Sequence, residues 1–369
     1  MSMMLEELRK KISEVFPERT AESWDNPGLL VGRGKTCVSR VLVALELTPD
    51  VLEDAISFKA DLILTHHPFI FKPLKSITDD TPEGRMLLDL AENHIALMAA
   101  HTNLDCAPDA IIRKLSEDLK LSGCRPFVPH HPYAAYKIVV FVPKESVDDV
   151  AAAMHGAGAG SVGAYSDVSF RASGLGRFTC GADSHPAIGE PGSAETVEEY
   201  RLEMVVSEKD LRAVIAALRK AHPYEEPAFD VFELRSEVHG MTDKYGFGVS
   251  GTLPEAIKLS AFIQHLKALW DIPVIRFAGN PEREIRRVAI LNGSGAKFLP
   301  SSDRDVDAYI TGDCGHHDFD NAVRRGVALI DAGHYDTEKF IPAMLADIVR
   351  GLDVEVMISH AMRNPMQVM

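Results

Sequence analysis

The chain has no apolar stretch long enough to span a bilayer and no leader-like N-terminus, so a cytoplasmic protein is expected. Cysteine is scarce and unpatterned. Cys37, Cys106, Cys124, Cys180 and Cys314 are odd in number and contain no Cys-x-x-Cys pair, which argues against a disulfide framework or a thiolate zinc site and for reduced thiols. Positive charge is in deficit, with 39 Lys and Arg against 54 Asp and Glu and a net charge of -15. That field repels a phosphate backbone and disfavours a ring or cleft that clamps nucleic acid. A Walker A loop is also lacking: the glycine-rich run Gly156-Ala157-Gly158-Ala159-Gly160 is not followed by Gly-Lys-Ser/Thr and reads as a tight turn.

What is present is an ordinary globular composition, 46% apolar, over 369 residues, more than one hydrophobic core usually holds. Leu5, Leu8 and Ile12 share a face and predict an N-terminal amphipathic helix. Beyond it, strands at 41–46, 61–65 and 95–100 alternate with helices opened by Thr48-Pro49-Asp50, Thr81-Pro82-Glu83 and Ala107-Pro108-Asp109, the last running to about Leu121. The rhythm returns with strands at 287–291, 307–310, 327–331 and 355–358, as expected for largely parallel sheets. Asp61 to His67 parallels Asp307 to Asp313, and Ile95 to His101 parallels Val327 to His334, a weak internal duplication that would place a site at the junction of two similar α/β lobes. Between them, strand 137–142, helix 147–155, a pair of short strands between Ser166 and Phe178, strand 199–206, helix 209–221 and strand 228–234 read as a β-α-β-β-α-β, ferredoxin-like α+β insert. Turn-rich stretches at 128–132 and 237–244 mark its limits. The expected division is residues 1–130 for the first lobe, 135–236 for the insert and 240–369 for the second lobe.

Three of the apolar runs end in histidine and carboxylate. One stops at His66-His67, one leads into His101-Thr102-Asn103-Leu104-Asp105, and one leads into Asp331-Ala332-Gly333-His334-Tyr335-Asp336-Thr337-Glu338. The carboxyl ends of parallel strands are where open α/β sheets bind ligands. His334 and Glu338 lie four residues apart, so a helix starting there would turn both toward one point. Imidazoles (His66, His67, His334) mixed with carboxylates (Asp105, Glu338) suit divalent Zn, Mn, Fe or Co, and five ligands exceed what one tetrahedral ion needs. Two ions bridged by a carboxylate are the simplest arrangement, and such a pair lowers the pKa of water held between them.

Trp24-Asp25-Asn26-Pro27-Gly28-Leu29-Leu30-Val31-Gly32, Leu64-Thr65-His66-His67-Pro68, His101 to Asp105, Thr311-Gly312-Asp313 with His317, and Gly333 to Glu338 together resemble the Nif-three-like family, the GTP cyclohydrolase I type 2 homologues. The middle segment, with Ala157 to Gly160 and Ala221-His222-Pro223-Tyr224-Glu225-Glu226, is similar to the longer bacterial members that carry a PII-like, CutA-like insert. The resemblance implies a dinuclear centre held by His66, His67, Asp105, His334 and Glu338 in a ring-shaped homohexamer, with the inserts near the ring's openings. Gly315 and Phe319 depart from the family pattern.

His101 and His317 are candidate proton shuttles or outer partners of the ions, with structural caps as the plainer alternative. Asp25 and Asn26 are candidates to line the site, Lys72 and Lys75 to meet a substrate phosphate, and Tyr224, Glu225 and Glu226 to form a ligand or assembly site in the insert. The expected function is metal-dependent hydrolysis of a purine nucleotide or related heterocycle. The alternative is a non-catalytic metal-binding scaffold whose insert senses a small molecule.

Overall fold

The apolar runs become the central strands of two mixed sheets. The computed structural model describes residues 2–108, 110–130, 133–163, 165–235, 245–302 and 304–367. The chain divides into two compact units, 1–130 with 244–369, and 131–243.

In the first unit, one sheet runs Glu355–Ile358, Arg40–Ala44, Leu62–Thr65, Ala96–Ala99 and Gly28–Val31, parallel except for the last strand. The other runs Arg276–Ala278, Ala328–Asp331, Ala308–Gly312, Glu284–Ser294, Gly246–Lys258 and Ser122–Pro129, with its second to fourth strands parallel. Three parallel strands followed by one antiparallel strand thus occur twice in the same spatial order, and the likeness extends to single hydrogen bonds. Asp61 Oδ2 accepts the backbone N–H groups of Ser39 (2.7 Å) and Arg40 (2.9 Å), and Asp307 Oδ2 accepts those of Arg286 (3.0 Å) and Arg287 (2.8 Å).

The lobes are not separated as the sequence division at 130 and 240 supposes. The last strand, Glu355–Ile358, pairs with Arg40–Val43 in the first sheet, while Ser122–Pro129 pairs with Gly246–Thr252 in the second. Each exchanged strand covers an edge that would otherwise present unpaired backbone groups. Thr48 and Thr81 cap the helices Pro49–Phe58 and Pro82–Glu92 by accepting N–H bonds from Val51 (3.2 Å) and Gly84 (3.0 Å), with proline at the helix start in both. The helix expected from 107 to 121 is shorter, Ile111–Asp118, and a separate turn of helix, Thr102–Asp105, precedes it. Pro108, between them, has no N–H to carry a continuous helical ladder.

The second unit follows the order Ala135–Pro143, helix Val147–Gly156, Phe170–Thr179, Ala194–Ser207, helix Glu208–Ala221, Phe229–Leu234. Its four strands are antiparallel in the spatial order fourth, first, third, second. Both helices pack on the sheet through Val150, Met154, Val214 and Leu218 against Ile138, Val140, Leu202 and Met204. The pair of short strands expected between Ser166 and Phe178 is one long strand, because Phe170–Thr179 finds a continuous partner in the ten residues Ala194–Glu203. Within the stretch read as a boundary at 128–132, Val128 and Pro129 end a strand and the two units divide after His130, and the boundary read at 237–244 lies outside the described residues. No helix among the described residues is long and apolar enough to cross a membrane.

Candidate metal centre

The fully buried strand Leu62–Thr65 stops abruptly at the histidine pair. The Leu45 carbonyl accepts the N–H groups of both His66 (3.1 Å) and His67 (2.9 Å), and Thr65 Oγ1 donates to the His67 carbonyl (2.9 Å). A continuing strand would send successive side chains to opposite faces. Here the chain turns out of the sheet, and the two imidazole centroids lie 5.0 Å apart. The neighbouring strand Ala96–Ala99 runs through His101 into the short helix that carries Asp105. In the second sheet, Ala328–Asp331 is followed by Gly333 at φ 85° and then by the turn of helix that carries His334 and Glu338.

These side chains converge. Glu338 Oε2 lies 3.0 Å from His67 Nε2 and 3.0 Å from His334 Nε2, and the two nitrogens are 3.3 Å apart. The other carboxylate oxygen, Oε1, faces His66 Nε2 at 3.8 Å, which in turn stands 3.6 Å from Asp105 Oδ1. His66 Nδ1 donates to the Ala100 carbonyl (2.8 Å), so in the neutral imidazole Nε2 carries the lone pair, and that atom is fully buried and without a hydrogen-bond partner. An unpartnered lone pair facing two carboxylate oxygens is repulsive unless a cation sits among them. Ligands about 2.0–2.1 Å from a tetrahedral ion are about 3.3 Å from one another, so the spacings here fit a divalent metal. Two groups among the described residues could hold an ion: His67, His334 and Glu338, and His66, His67 and His101.

The electrostatics point the same way. Burial opposes charge on His67, but Glu338 and Glu46 outweigh it and raise its pKa to about 10; Glu338 and Asp313 likewise outweigh burial at His334 and raise it to about 9. The field that favours a proton there favours any cation. Burial alone would raise the pKa of Glu338, but its contacts with His334, His66 and His67 hold it well below the usual range. Asp105 is pushed up, because burial and the Glu338 charge outweigh the attraction of His66 and His101.

The five residues expected as ligands are therefore brought together, and His101 stands beside them, its ring centroid 5.1 Å from that of His66 and 5.6 Å from that of His67. His101 Nδ1 is 2.8 Å from Asp25 Oδ1, and the other Asp25 oxygen accepts from the backbone and hydroxyl of Thr102. Burial works against the Asp25 charge, but these bonds bring its pKa down to about 2. Asn26 lies further out, donating to the Ile70 carbonyl (2.6 Å). His317 is exposed near the start of the helix His316–Arg325, with its ring against His316, and is not in either metal-holding group. Lys72 and Lys75 are exposed. Burial lifts the Cys106 and Cys314 thiols to about 12, which leaves them neutral.

Three supporting residues, Asn292, Glu46 and Gly293, escaped the sequence reading, and a fourth, Asp313, stood there only within a motif. Asn292 Nδ2 donates to both Asp105 Oδ1 and Glu338 Oε1 at 3.0 Å, fixing the two carboxylates relative to each other. Asp313 Oδ2 accepts from His334 Nδ1 (2.7 Å), turning its Nε2 inward, and Glu46 approaches His67 Nδ1 at 3.8 Å. Gly293, at φ 62°, leaves room that a Cβ would occupy 2.2 Å from Glu338 Oε1.

A twice-repeated α/β frame that gathers histidines and carboxylates from the ends of parallel strands defines a class of α/β proteins built around a cluster that could hold a metal. The profile of the Duf34/NIF3 (NGG1p interacting factor 3) family matches residues 3–365, and the chain belongs to that family. It is 36% identical over 356 residues to a protein of Halalkalibacterium halodurans named GTP cyclohydrolase 1 type 2 homolog, covering 95% of this chain and 94% of that one. It is 37% identical over 320 residues to a protein of the same name in Bacillus subtilis, covering 86% and 85%. Among solved structures, a Bacillus cereus protein related to NIF3 superposes with a TM-score of 0.80 at 32% identity, covering 100% of this chain and 99% of that one.

Proposed function

We propose that the protein is a metal-dependent hydrolase acting on a purine nucleotide or related heterocycle, through a dinuclear centre of Zn, Mn, Fe or Co. One ion would be held by His66, Asp105 and Glu338, the other by His67, His334 and Glu338. The observation that carries this reading is the division of Glu338, whose two oxygens face different imidazoles as a bridging carboxylate does. When bound, such ions lower the pKa of water and polarise the group under attack. The chain's own residues supply orientation and proton transfer. Asn292 holds the two carboxylates, Asp313 fixes the His334 tautomer, and His101, oriented by Asp25, offers its Nε2 for a proton to or from the reacting group. His317, exposed and outside the cluster, supports no such role. The proposed setting is a cytoplasmic homohexamer.

The names of the relatives support the purine substrate by analogy only. The test is metal analysis of protein purified without chelator. About two equivalents are expected for the wild type, and Glu338→Gln should lose the pair, because it removes the shared charge. Trace metal in both would end the assignment.

The second reading, a non-catalytic metal-binding scaffold with a PII-like sensing insert, has one observation in its favour. The second unit carries its own cavity of about 630 Å³, lined by Phe141, Phe178, Glu199, Tyr224 and Glu225 among others. Tyr224 donates to the buried Glu199 carboxylate there (3.0 Å).

A further inference from the structure

Two large aromatic side chains stand exposed beside the candidate centre, whereas Tyr309, Phe262 and Phe16 of the same unit are buried. Trp24 is 51% exposed and Phe71 44% exposed. Their ring centroids lie 5.9 Å apart at an interplanar angle of 61°, and each is 6.4 Å from His101, whose ring abuts those of both His66 and His67. The two loops that carry them are tied together by the Asn26 side chain on the Ile70 carbonyl. From the other lobe, the Lys297 ammonium stands over the Trp24 ring, 5.7 Å from its centroid, and over the Phe298 ring at 4.9 Å, which places a cation against the aromatic surface. Exposed apolar rings cost free energy in water, and rings fixed next to a cluster of metal-ligating groups offer a planar ligand a stacking surface.

We infer that Trp24 and Phe71 form a stacking subsite for a planar nitrogen heterocycle, with Lys297 receiving an anionic substituent of the same molecule. The ring would lie against the indole with its edge toward His101, and so toward the centre. This rests on the hydrolase reading for its reaction, but not for the binding itself. It shifts the charge-recognition role from Lys72 and Lys75, for which no contact with this surface is seen among the described residues, to Lys297. Trp24 and Phe71 are positioning residues here.

The chain has two tryptophans, and Trp270 is 8% exposed with its indole N–H on Asp118 (3.0 Å), so Trp270→Phe leaves Trp24 as the sole tryptophan. In that background, guanosine 5′-monophosphate, guanosine and ribose 5-phosphate are titrated against metal-loaded and metal-free protein, with Trp24 fluorescence and calorimetry as readouts. The nucleotide and the nucleoside should quench, and the sugar phosphate should not. Trp24→Ala should weaken nucleotide binding by about tenfold or more in calorimetry, the usual scale for one base stacked on one aromatic ring, and Trp24→Phe should restore part of it. Lys297→Ala should weaken the nucleotide but not the nucleoside. Quenching by neither ring compound in either metal state, or unchanged affinity in Trp24→Ala, would overturn the subsite. If ring binding follows this pattern while no turnover is found, the hydrolase reading fails and the subsite stands. If turnover occurs with kcat/KM unchanged in Trp24→Ala and Phe71→Ala, the subsite fails and the hydrolase reading stands.

Discussion

Gly293→Ala tests the centre without replacing any proposed ligand. At φ 62°, an alanine pays the left-handed penalty of about 1–2 kcal/mol. Its Cβ would also lie 2.2 Å from Glu338 Oε1 and 3.2 Å from His334 Nε2, where ordinary contact begins at 3.4 Å. Glu338 has no slack to give: one oxygen is fixed by Asn292 and the other faces two imidazoles at 3.0 Å. Restoring contact moves the carboxylate by roughly 1 Å, well beyond the ±0.2 Å that metal coordination distances tolerate. The backbone term alone predicts a melting point lower by roughly 2–8 °C, at about 2–4 °C per kcal/mol for a unit of this size. Metal content should fall by at least half of the wild-type value.

Gly351→Ala is the control, since Gly351 has an ordinary φ of -75° and its added Cβ meets only a carbonyl oxygen at 3.8 Å. Differential scanning calorimetry and elemental analysis of the two variants separate the outcomes. Wild-type metal content and melting point in Gly293→Ala would refute the claim that this glycine makes room for Glu338, and equal losses in Gly351→Ala would show the effect to be unspecific.

Asn292→Ala removes the donor that separates two buried carboxylates, so metal-free protein should lose about 1–3 kcal/mol in urea unfolding, and an unchanged midpoint would refute that role. Asp54 binds the Ser359 hydroxyl and the N–H groups of His360 and Ala361, which hold its pKa below the usual carboxylate value. A depressed carboxylate stabilises above its unfolded pKa, about 3.9, and that contribution is lost as pH falls through the folded value. The stability gap between wild type and Asp54→Asn should therefore be widest near neutrality and close in acid; a pH-independent gap would exclude this origin. Replacing residues 136–234 by a short Gly/Ser linker should leave the first unit folded and metal-loaded, because His130 N–H already bonds the Tyr245 carbonyl (3.0 Å) and Pro129 pairs with Gly246; insoluble or metal-free protein would count against it. Metal-loaded protein incubated with GTP should change its ultraviolet spectrum and release formate or a formylated intermediate, while Asp105→Ala and His334→Ala should be inert; equal traces of turnover in all three would remove the enzyme claim.

Much of this was legible because strand ends and helix starts are local. Thr48-Pro49 and Thr81-Pro82 carry their own capping chemistry, and the apolar runs before His66, His101 and His334 are too short for helices and read as strands. Asn292 and Gly293 were missed although they also follow an apolar run, because Asn-Gly reads as a turn and nothing local shows that its amide will reach Asp105, 187 residues away. His317 illustrates the reverse: proximity to a motif in sequence suggested a role, but the helix it begins leaves its ring exposed. The exchange of the strands Glu355–Ile358 and Ser122–Pro129 is a non-local pairing that strand propensity does not encode.

The duplicated frame also explains why the centre is chemically lopsided. Thr65 and Thr311 occupy equivalent strand ends, with the Ala100 N–H on the Thr65 carbonyl and the Ala332 N–H on that of Thr311. After Thr65 come His66 and His67; after Thr311 come Gly312 and Asp313. A second histidine pair there would leave no space, since a Cβ on Gly312 would lie 2.6 Å from the His334 backbone nitrogen. The first lobe thus contributes nitrogen ligands from its middle strand, and the second contributes clearance and, through Asp313, the orientation of His334. The same division holds at the neighbouring strand ends, where Glu46 approaches His67 from one lobe and Asn292 ties Asp105 to Glu338 from the other. The two halves converge on Glu338 as ligand and support, and that complementarity is what lets one carboxylate face two different sets of imidazoles.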